Sequence, residues 1–144
     1  VGRKVANLNS ALYASPELAA RIGRGESVHI LGFSGYPEGA EWMGEQLPDM
    51  GRVIVSSNNM DVLCELAALG LGATEVPCYI GEFNDSLVRI SEPHTFRFAE
   101  AWLLYHPQLR NLRRVHLLVD HLVSAFERPA PAFEGKLKPL GSTG

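Results

Sequence analysis

The stretch from residue 53 to residue 69 carries the clearest succession of hydrophobic patterns in the chain. Residues 53–55 are a β-branched run, which is typical of a strand. Residues 56–58 read Ser-Ser-Asn, and such side chains cap the first free amides of a helix. Apolar residues then recur at helical spacing: Val62, Leu63, Leu66, Ala67 and Leu69. The pattern predicts a strand followed directly by a helix that begins near Ser57.

A second strand follows this helix closely. Gly70 ends the helix, and residues 73–76 predict a strand that Pro77 closes at a point where an amide donor is no longer needed. A helix start presents unpaired N–H groups and partial positive charge, so Ser57 and Asn58 mark a place where a carboxylate or another anion would bind. The same residue types also serve as plain caps, and both interpretations stay open.

The front of the chain predicts two further strands and a helix. Residues 1–14 read as an extended strand, and Ser15-Pro16 begins a helix that ends at Gly23. Residues 28–31 form a short buried strand. Residues 32–48 mix glycines and prolines with three aromatic residues, Phe33, Tyr36 and Trp42. That mixture is typical of a ligand-pocket wall and equally of a small core beneath a loop.

The last third of the chain predicts more strands and the longest helix. Residues 87–90 and 96–98 read as short strands, and residues 101–105 are an apolar run that we expect to be buried on both faces. A helix extends from about residue 109 or 111 to residue 126, and its apolar stripe needs a partner surface: Val115, Leu118, Val119, Leu122, Val123 and Phe126. Residues 128–144 contain three prolines and no periodicity, which predicts a mobile tail.

Composition and charge exclude several classes of function. The 144 residues are 46% apolar and 20% charged, which fits one globular domain or two small lobes. A net charge of −3 argues against a nucleic-acid surface in this segment. The sequence has no run of eighteen apolar residues and no signal segment at its start, so we expect neither membrane insertion nor export, and a cytoplasmic location.

Histidines and cysteines are the candidates for chemistry, and their arrangement predicts none. Cys64 and Cys78 show neither CxxC nor Cys/His ligand spacing, so we expect buried thiols and no metal or other cofactor. The histidines that a Cys/His catalytic site would require do not lie in a nucleophile motif: His29, His94 and His106. The chain is therefore predicted not to be an enzyme.

Several ordered motifs resemble one known family, the effector-binding domain of LysR-type transcriptional regulators. ALYASPELAAR at the front is similar to the family's first crossover strand and the helix after it. GLGATEVP resembles its glycine-rich turn into a strand closed by proline. AWLLYHPQLRNLRRVHLLVDHLVSAF is similar to its returning strand and final helix. The resemblance extends from about residue 3 to residue 126.

The resemblance implies a fold and a division of the chain. The family has two α/β lobes of the type 2 periplasmic-binding-protein kind, with a mixed or parallel sheet flanked by helices and two strands that cross between lobes. Here it implies a crossover strand (1–14), effector-binding lobe two (15–98), a returning strand and last helix of lobe one (99–127) and a flexible tail (128–144). The family's winged helix-turn-helix, linker helix and opening βα units have no counterpart in this sequence.

The resemblance also implies a function and a binding site. It implies a non-catalytic module that senses a small-molecule inducer, oligomerises with copies of itself and reaches DNA only through a domain absent from this chain. The inducer-binding residues carried over are Phe33, Ser34, Tyr36, Ser57, Asn58 and Asn59. Glu75 replaces a more aliphatic residue of the family, so an acidic side chain is expected near the cleft. The alternative function is a solute-binding protein of a transport system, which shares the two-lobe architecture.

Overall fold

A computed structural model describes residues 1–35, 42–43, 45–47 and 50–138 of the chain. These residues form a mixed six-stranded sheet with helices against both faces. The elements are β1 (Gly2–Ala14), α1 (Pro16–Gly23), β2 (Val28–Phe33), β3 (Met50–Ser57), α2 (Met60–Ala68), β4 (Ala73–Pro77), α3 (Cys78–Gly81), β5 (Val88–Arg89), β6 (His94–Leu104), a 3-10 helix (Pro107–Leu109), α4 (Arg113–Glu127) and α5 (Ala130–Phe133). The predicted α/β fold class is confirmed.

The sheet has the order β3-β2-β4-β1-β5, and β6 also pairs with β1. Strands β2, β3 and β4 are parallel, with Leu31 level with both Val55 and Thr74. Strand β1 runs antiparallel to β4, β5 and β6. Because the carboxyl ends of parallel strands share one edge, the residues that follow β2, β3 and β4 gather at that edge.

Side-chain alternation along β1 divides the core into two layers. Ala11 and Tyr13 face a layer with the buried side of α2, in which the largest members are Leu31, Leu63, Val76 and Leu87. Leu12 and Ala14 face the opposite layer, which contains residues of α1 and of the segment after β2: Leu18, Met43 and Leu47. The inner half of β1, residues 10–14, is completely buried between these layers.

The outer half of β1 pairs with β6 in a two-stranded ribbon that extends beyond the rest of the sheet. Its register runs from Gly2 opposite Leu104 to Ser10 opposite His94, with irregularities between residues 4 and 6 and between residues 7 and 9. Trp102 and Leu104 on β6 are 53% and 75% exposed. The prediction that residues 101–105 are buried on both faces is therefore wrong. In the described part of the chain, β6 pairs along one edge, and these two side chains remain open to solvent.

Helix α4 packs along the ribbon. Arg3 on β1 forms an ion pair with Asp120 at 2.6 Å, and Val119 is buried. The predicted apolar stripe is thus partly covered by β1, although Leu118 remains 57% exposed. Leu117, beside the stripe, is 61% exposed.

The segment after α4 is more regular than the sequence predicted. Prolines 129 and 131 had suggested a mobile tail, but residues 130–133 form helix α5, which packs against β1 and α3. Ala132 and Gly135 are buried. A proline is compatible with the first turn of a helix, where its missing N–H has no intrahelical partner, and this explains the difference. Residues 139–144 lie outside the described part.

Candidate functional site

The carboxyl ends of β2 and β3 bring most of the predicted inducer-binding residues together. Phe33 is level with Ser57 across the two strands, and the Ser34 N–H donates to the Ser57 carbonyl at 2.9 Å. Phe33 is 38% exposed, and Ser34 and Asn58 are also exposed. Tyr36, the remaining aromatic residue of the predicted set, lies outside the described residues. The edge therefore presents one apolar ring beside hydroxyl, amide and backbone groups.

The start of α2 is capped by Asn59, and not by Ser57 or Asn58 as the sequence predicted. The Asn59 Oδ1 accepts from the N–H groups of Asp61 at 2.9 Å and Val62 at 3.4 Å. The Ser57 Oγ accepts from the Asn59 N–H at 3.0 Å. Ser56 and Ser57 are still paired with β2, so the chain turns into the helix later than its residue types indicated. An anion at this helix start would compete with the Asn59 side chain for two amides.

A bridge between Glu75 and His94 passes over β1 beside this edge. Glu75 lies on β4 and His94 begins β6, on opposite sides of β1, yet the Glu75 Oε1 and the His94 Nε2 are 2.8 Å apart. The Trp42 ring stacks on the His94 ring, with centroids 3.7 Å apart. We call Glu75, His94 and Trp42 the Glu75 bridge. It connects the sheet to the root of the ribbon and to the segment that follows β2.

Ser10 lies beneath the Glu75 bridge. It is level with Pro77 on one side and with His94 on the other, and it is completely buried. Its Oγ has no hydrogen-bond partner among the residues that the structure describes. The sequence predicted an acidic residue near the cleft. It did not predict the histidine partner, because the pairing depends on the register of three strands.

Burial changes the protonation of the Glu75 bridge. Glu75 is 7% exposed, and desolvation raises the pKa of its carboxyl group to about 7. Desolvation also lowers the pKa of His94. Because burial disfavours charge on both groups, it favours a neutral pair, in which the carboxylic acid donates to the imidazole Nε2, over an ion pair. With a Glu75 pKa of about 7, the acid and the carboxylate are both populated near neutral pH.

An open polar cavity of about 290 Å³ lies on the ribbon. Its walls come from both ribbon strands and from the segment after α5: Asn7, Asn9, Thr95, Glu100, Glu134 and Lys136. The sequence analysis missed this cavity because its residues are up to 129 positions apart and share no motif. Among the described residues the lining is polar, unlike the mainly apolar lining of most small-molecule pockets.

The cysteines behave as predicted. Cys64 and Cys78 are free and buried, and desolvation raises the pKa of each thiol to about 11.

His106 has a structural role, since its Nδ1 accepts from the Gln108 N–H at 3.3 Å and caps the 3-10 helix. Within the described ranges, no group of three metal-ligating side chains occurs. No helix in the described part of the chain is long and apolar enough to cross a membrane.

The cap assignment at α2 predicts different costs for two neighbouring asparagines. Asn59→Ala removes the side chain that accepts from two helix amides, so we expect the free energy of unfolding to fall by about 1 kcal/mol. Asn58→Ala is the matched control, since Asn58 is exposed and does not cap the helix. Urea denaturation of both variants measures the difference. Equal losses would contradict the assignment of the cap to Asn59.

The Glu75 bridge predicts a pH dependence with a defined sign. Unperturbed, Glu75 and His94 titrate near 4.5 and 6.5, so the unfolded pair holds no proton above about pH 7. Around pH 7 the folded pair still retains part of one proton, because burial raises the pKa of Glu75 to about 7. The folded state binds more protons, and its stability therefore falls as the pH rises through about 7.

We expect this fall to be on the order of 1 kcal/mol between about pH 6 and about pH 8. Glu75→Gln keeps a hydrogen bond to His94 but has no acidic proton, so its stability should change less over that range. Urea denaturation at several pH values compares the two proteins. A wild-type slope that persists unchanged in Glu75→Gln would assign the titration to another group.

Comparison with known proteins identifies the family. The family model described as the LysR substrate binding domain matches residues 3–127. No curated protein matches the chain. Among solved structures, the CrgA regulatory domain from Neisseria meningitidis, a LysR-type transcriptional regulator, is 18% identical with a TM-score of 0.56, and the match covers 88% of this chain and 68% of that one.

Two further structures agree on the fold. The AmpR effector binding domain from Citrobacter freundii is 14% identical, with a TM-score of 0.55 and coverage of 89% of this chain and 68% of that one. The regulatory domain of AphB from Vibrio vulnificus, treated with cumene hydroperoxide, is 19% identical, with a TM-score of 0.53 and coverage of 86% and 68%. At this level of identity the three solved structures show the fold alone. The matching family model carries the assignment to the family. This assignment does not favour the alternative function, a solute-binding protein of a transport system. The chain belongs to the LysR substrate-binding domain family, the effector-sensing regulatory modules of LysR-type transcription regulators.

Proposed function

We propose that this chain binds a small-molecule effector at the carboxyl edge of β2 and β3 and performs no catalysis. The observation that carries the proposal is the convergence of Phe33, Ser34, Ser57 and Asn58 at one edge of the sheet. In open α/β sheets, ligands bind beyond the carboxyl ends of the strands. Tyr36 and Asn59 belong to the same proposed site through the family resemblance.

The proposed site suits an effector with a carboxylate or another anionic head and an apolar body. The hydroxyl of Ser57, the amide of Asn58 and the Ser34 side chain provide donors for the head, and the exposed Phe33 ring covers the body. Asn59 limits the strength of this site, because it already accepts from two helix amides. We therefore expect side-chain donors to contribute more to recognition than the helix start.

The proposed response is a shift between two arrangements of lobes that already exist without effector. Residues 15–98 form the proposed effector-binding lobe, and residues 1–14 and 99–127 connect it to lobe one. A ligand shifts such an equilibrium only as far as it binds one arrangement more tightly than the other. DNA would be reached through another domain of the regulator, and we place the protein in the cytoplasm, as for the family.

We further propose that copies of the chain associate through the ribbon and α4. Four large apolar side chains there are more than half exposed: Trp102, Leu104, Leu117 and Leu118. Burial of apolar surface yields roughly 25 cal/mol per Å², and each of these side chains gains from a partner surface. The expected assembly is a homodimer or a higher homo-oligomer.

Small carboxylates test the proposed effector site. Acetate and benzoate serve as probes, and a saturating ligand at a hundredfold excess over its Kd stabilises the folded state by about 2.7 kcal/mol. We expect a rise in melting temperature that Phe33→Ala and Ser57→Ala abolish, whereas Ser86→Ala, at an exposed serine far along the chain, keeps it. An equal rise in wild type and Ser57→Ala would place the site elsewhere. No rise with any carboxylate would contradict the proposed ligand class.

Two equally exposed leucines test the proposed association surface. Leu104 on the ribbon and Leu69 at the end of α2 are both 75% exposed. We expect Leu104→Glu to weaken self-association at least tenfold, equivalent to about 1.4 kcal/mol, while Leu69→Glu leaves it unchanged. Sedimentation velocity at tens of micromolar provides the measurement. A monodisperse wild-type monomer at that concentration would overturn the proposal.

A further inference from the structure

Effector sensing as proposed above leaves one buried charged pair without a role. The Arg89 Nε donates to the Glu82 Oε1 at 3.1 Å, and the two side chains are 6% and 0% exposed. The Tyr13 hydroxyl donates to the same oxygen at 2.8 Å. Buried ion pairs contribute little net stability unless their remaining hydrogen-bond capacity is also satisfied. The groups that satisfy this pair therefore indicate its purpose.

The remaining polar atoms of the pair bind backbone groups of Ser91 and Lys138, and the Arg89 Nη1 donates to the Ser91 carbonyl at 3.1 Å. The Lys138 N–H donates to the Glu82 Oε2 at 2.7 Å, and the Arg89 guanidinium donates to the Lys138 carbonyl at 2.9 Å. Four positions earlier, the Asn9 side chain donates to the Glu134 carbonyl at 3.2 Å. The three contacts with Lys138 and Glu134 are made to main-chain groups of the segment and not to its side chains.

Shape adds a second requirement for the same segment. The Phe133 ring lies between Phe126 of α4 and Tyr79 of α3, with centroids 5.7 Å from each. Gly135 has a φ of +72°, and a Cβ at this position would lie 2.6 Å from Pro93 and 2.8 Å from the sulfur of Cys78. Only glycine fits there without displacing its neighbours.

We propose that Glu82, Arg89 and Asn9 form a docking site for residues 133–138 of the same chain, a segment that leaves α5 through a turn at Gly135, and that the docked segment clamps α4 to the proposed effector-binding lobe. Among the described residues, α4 is also attached to β1 by the Arg3–Asp120 pair, whose side chains are 52% and 66% exposed. Exposed pairs of this kind contribute about 0–1 kcal/mol. The docked segment therefore reinforces a weak polar attachment of α4, in addition to the packing of the buried Val119.

This clamp acts without effector and goes beyond the proposed sensing function. Since α4 and the ribbon belong to the proposed lobe-one side, the docked segment connects that side to the proposed effector-binding lobe. It is a third connection, in addition to β1 and β6. A bound segment restricts the range of lobe arrangements, and its release widens that range before any ligand arrives.

Two glycines with the same backbone conformation provide a matched test. Gly135→Ala introduces both the strain of a positive φ and the clash with Pro93 and Cys78, whereas Gly25→Ala introduces the strain alone, because nothing lies within 4 Å of its Cβ position. Spin labels are attached at Glu17→Cys and Ser124→Cys, which are exposed positions of α1 and α4. The distance between the labels reports the position of α4 relative to the proposed effector-binding lobe. The buried native cysteines are protected from labelling.

Each doubly labelled protein is diluted into unlabelled copies, so that distances between associated chains do not contribute. In the otherwise wild-type and Gly25→Ala proteins we then expect one narrow distance distribution, and in Gly135→Ala a distribution about twofold broader. Hydrogen exchange of the Lys138 amide should accelerate at least about tenfold in Gly135→Ala alone. Phe133→Ala provides a second route to release and should broaden the same distribution. The clamp would be overturned if the label distances stayed unchanged in both Gly135→Ala and Phe133→Ala. It would also be overturned if the Lys138 amide exchanged faster in Gly135→Ala while the label distances in that variant stayed unchanged.

Discussion

Strand β1 is the constraint on which the other elements depend. Its inner half, residues 10–14, is completely buried and lies between β4 and β5, so its main-chain groups must be satisfied by those neighbours. Its outer half continues into the ribbon with β6. One uninterrupted strand therefore fixes both the two core layers of the sheet and the direction in which the ribbon leaves the sheet. A change of register in β1 by one residue would exchange the two layers of the core.

Local sequence patterns predicted the elements whose stability is local. Residues 53–77 contain their own strand run, helical periodicity and terminating glycine and proline, and the structure forms β3, α2 and β4 there. The cap was misplaced because Ser57 and Asn59 are equally good capping types, and strand pairing with β2 decided between them. The exposure of Trp102 and Leu104 was also missed. An apolar run does not specify whether a second surface will cover it.

The features that connect distant parts of the chain could not be read from spacing. Glu75 meets His94 only because β1 separates β4 from β6 by one strand, and Glu82 meets Lys138 only because the chain returns after α4. In each case one partner is a buried glutamate, so the pairing follows from the cost of leaving its carboxyl group unsatisfied. Tertiary register supplied the information that composition and periodicity lack. The family resemblance drew attention to Glu75, but it gave neither the histidine partner of Glu75 nor a residue of the Glu82 pairing.

The Glu75 bridge restricts what can stand beneath it. A carboxyl group from β4 and an imidazole from β6 meet across β1, and the residue they cross is Ser10, level with His94 and completely buried. A larger side chain at position 10 would occupy the path of the bridge, whereas a shorter acid at position 75 would fail to span the strand. Positions 10, 75 and 94 thus form one steric unit. In a library that randomises all three positions together, we expect the folded variants to carry residues at one position that compensate for changes at the other two.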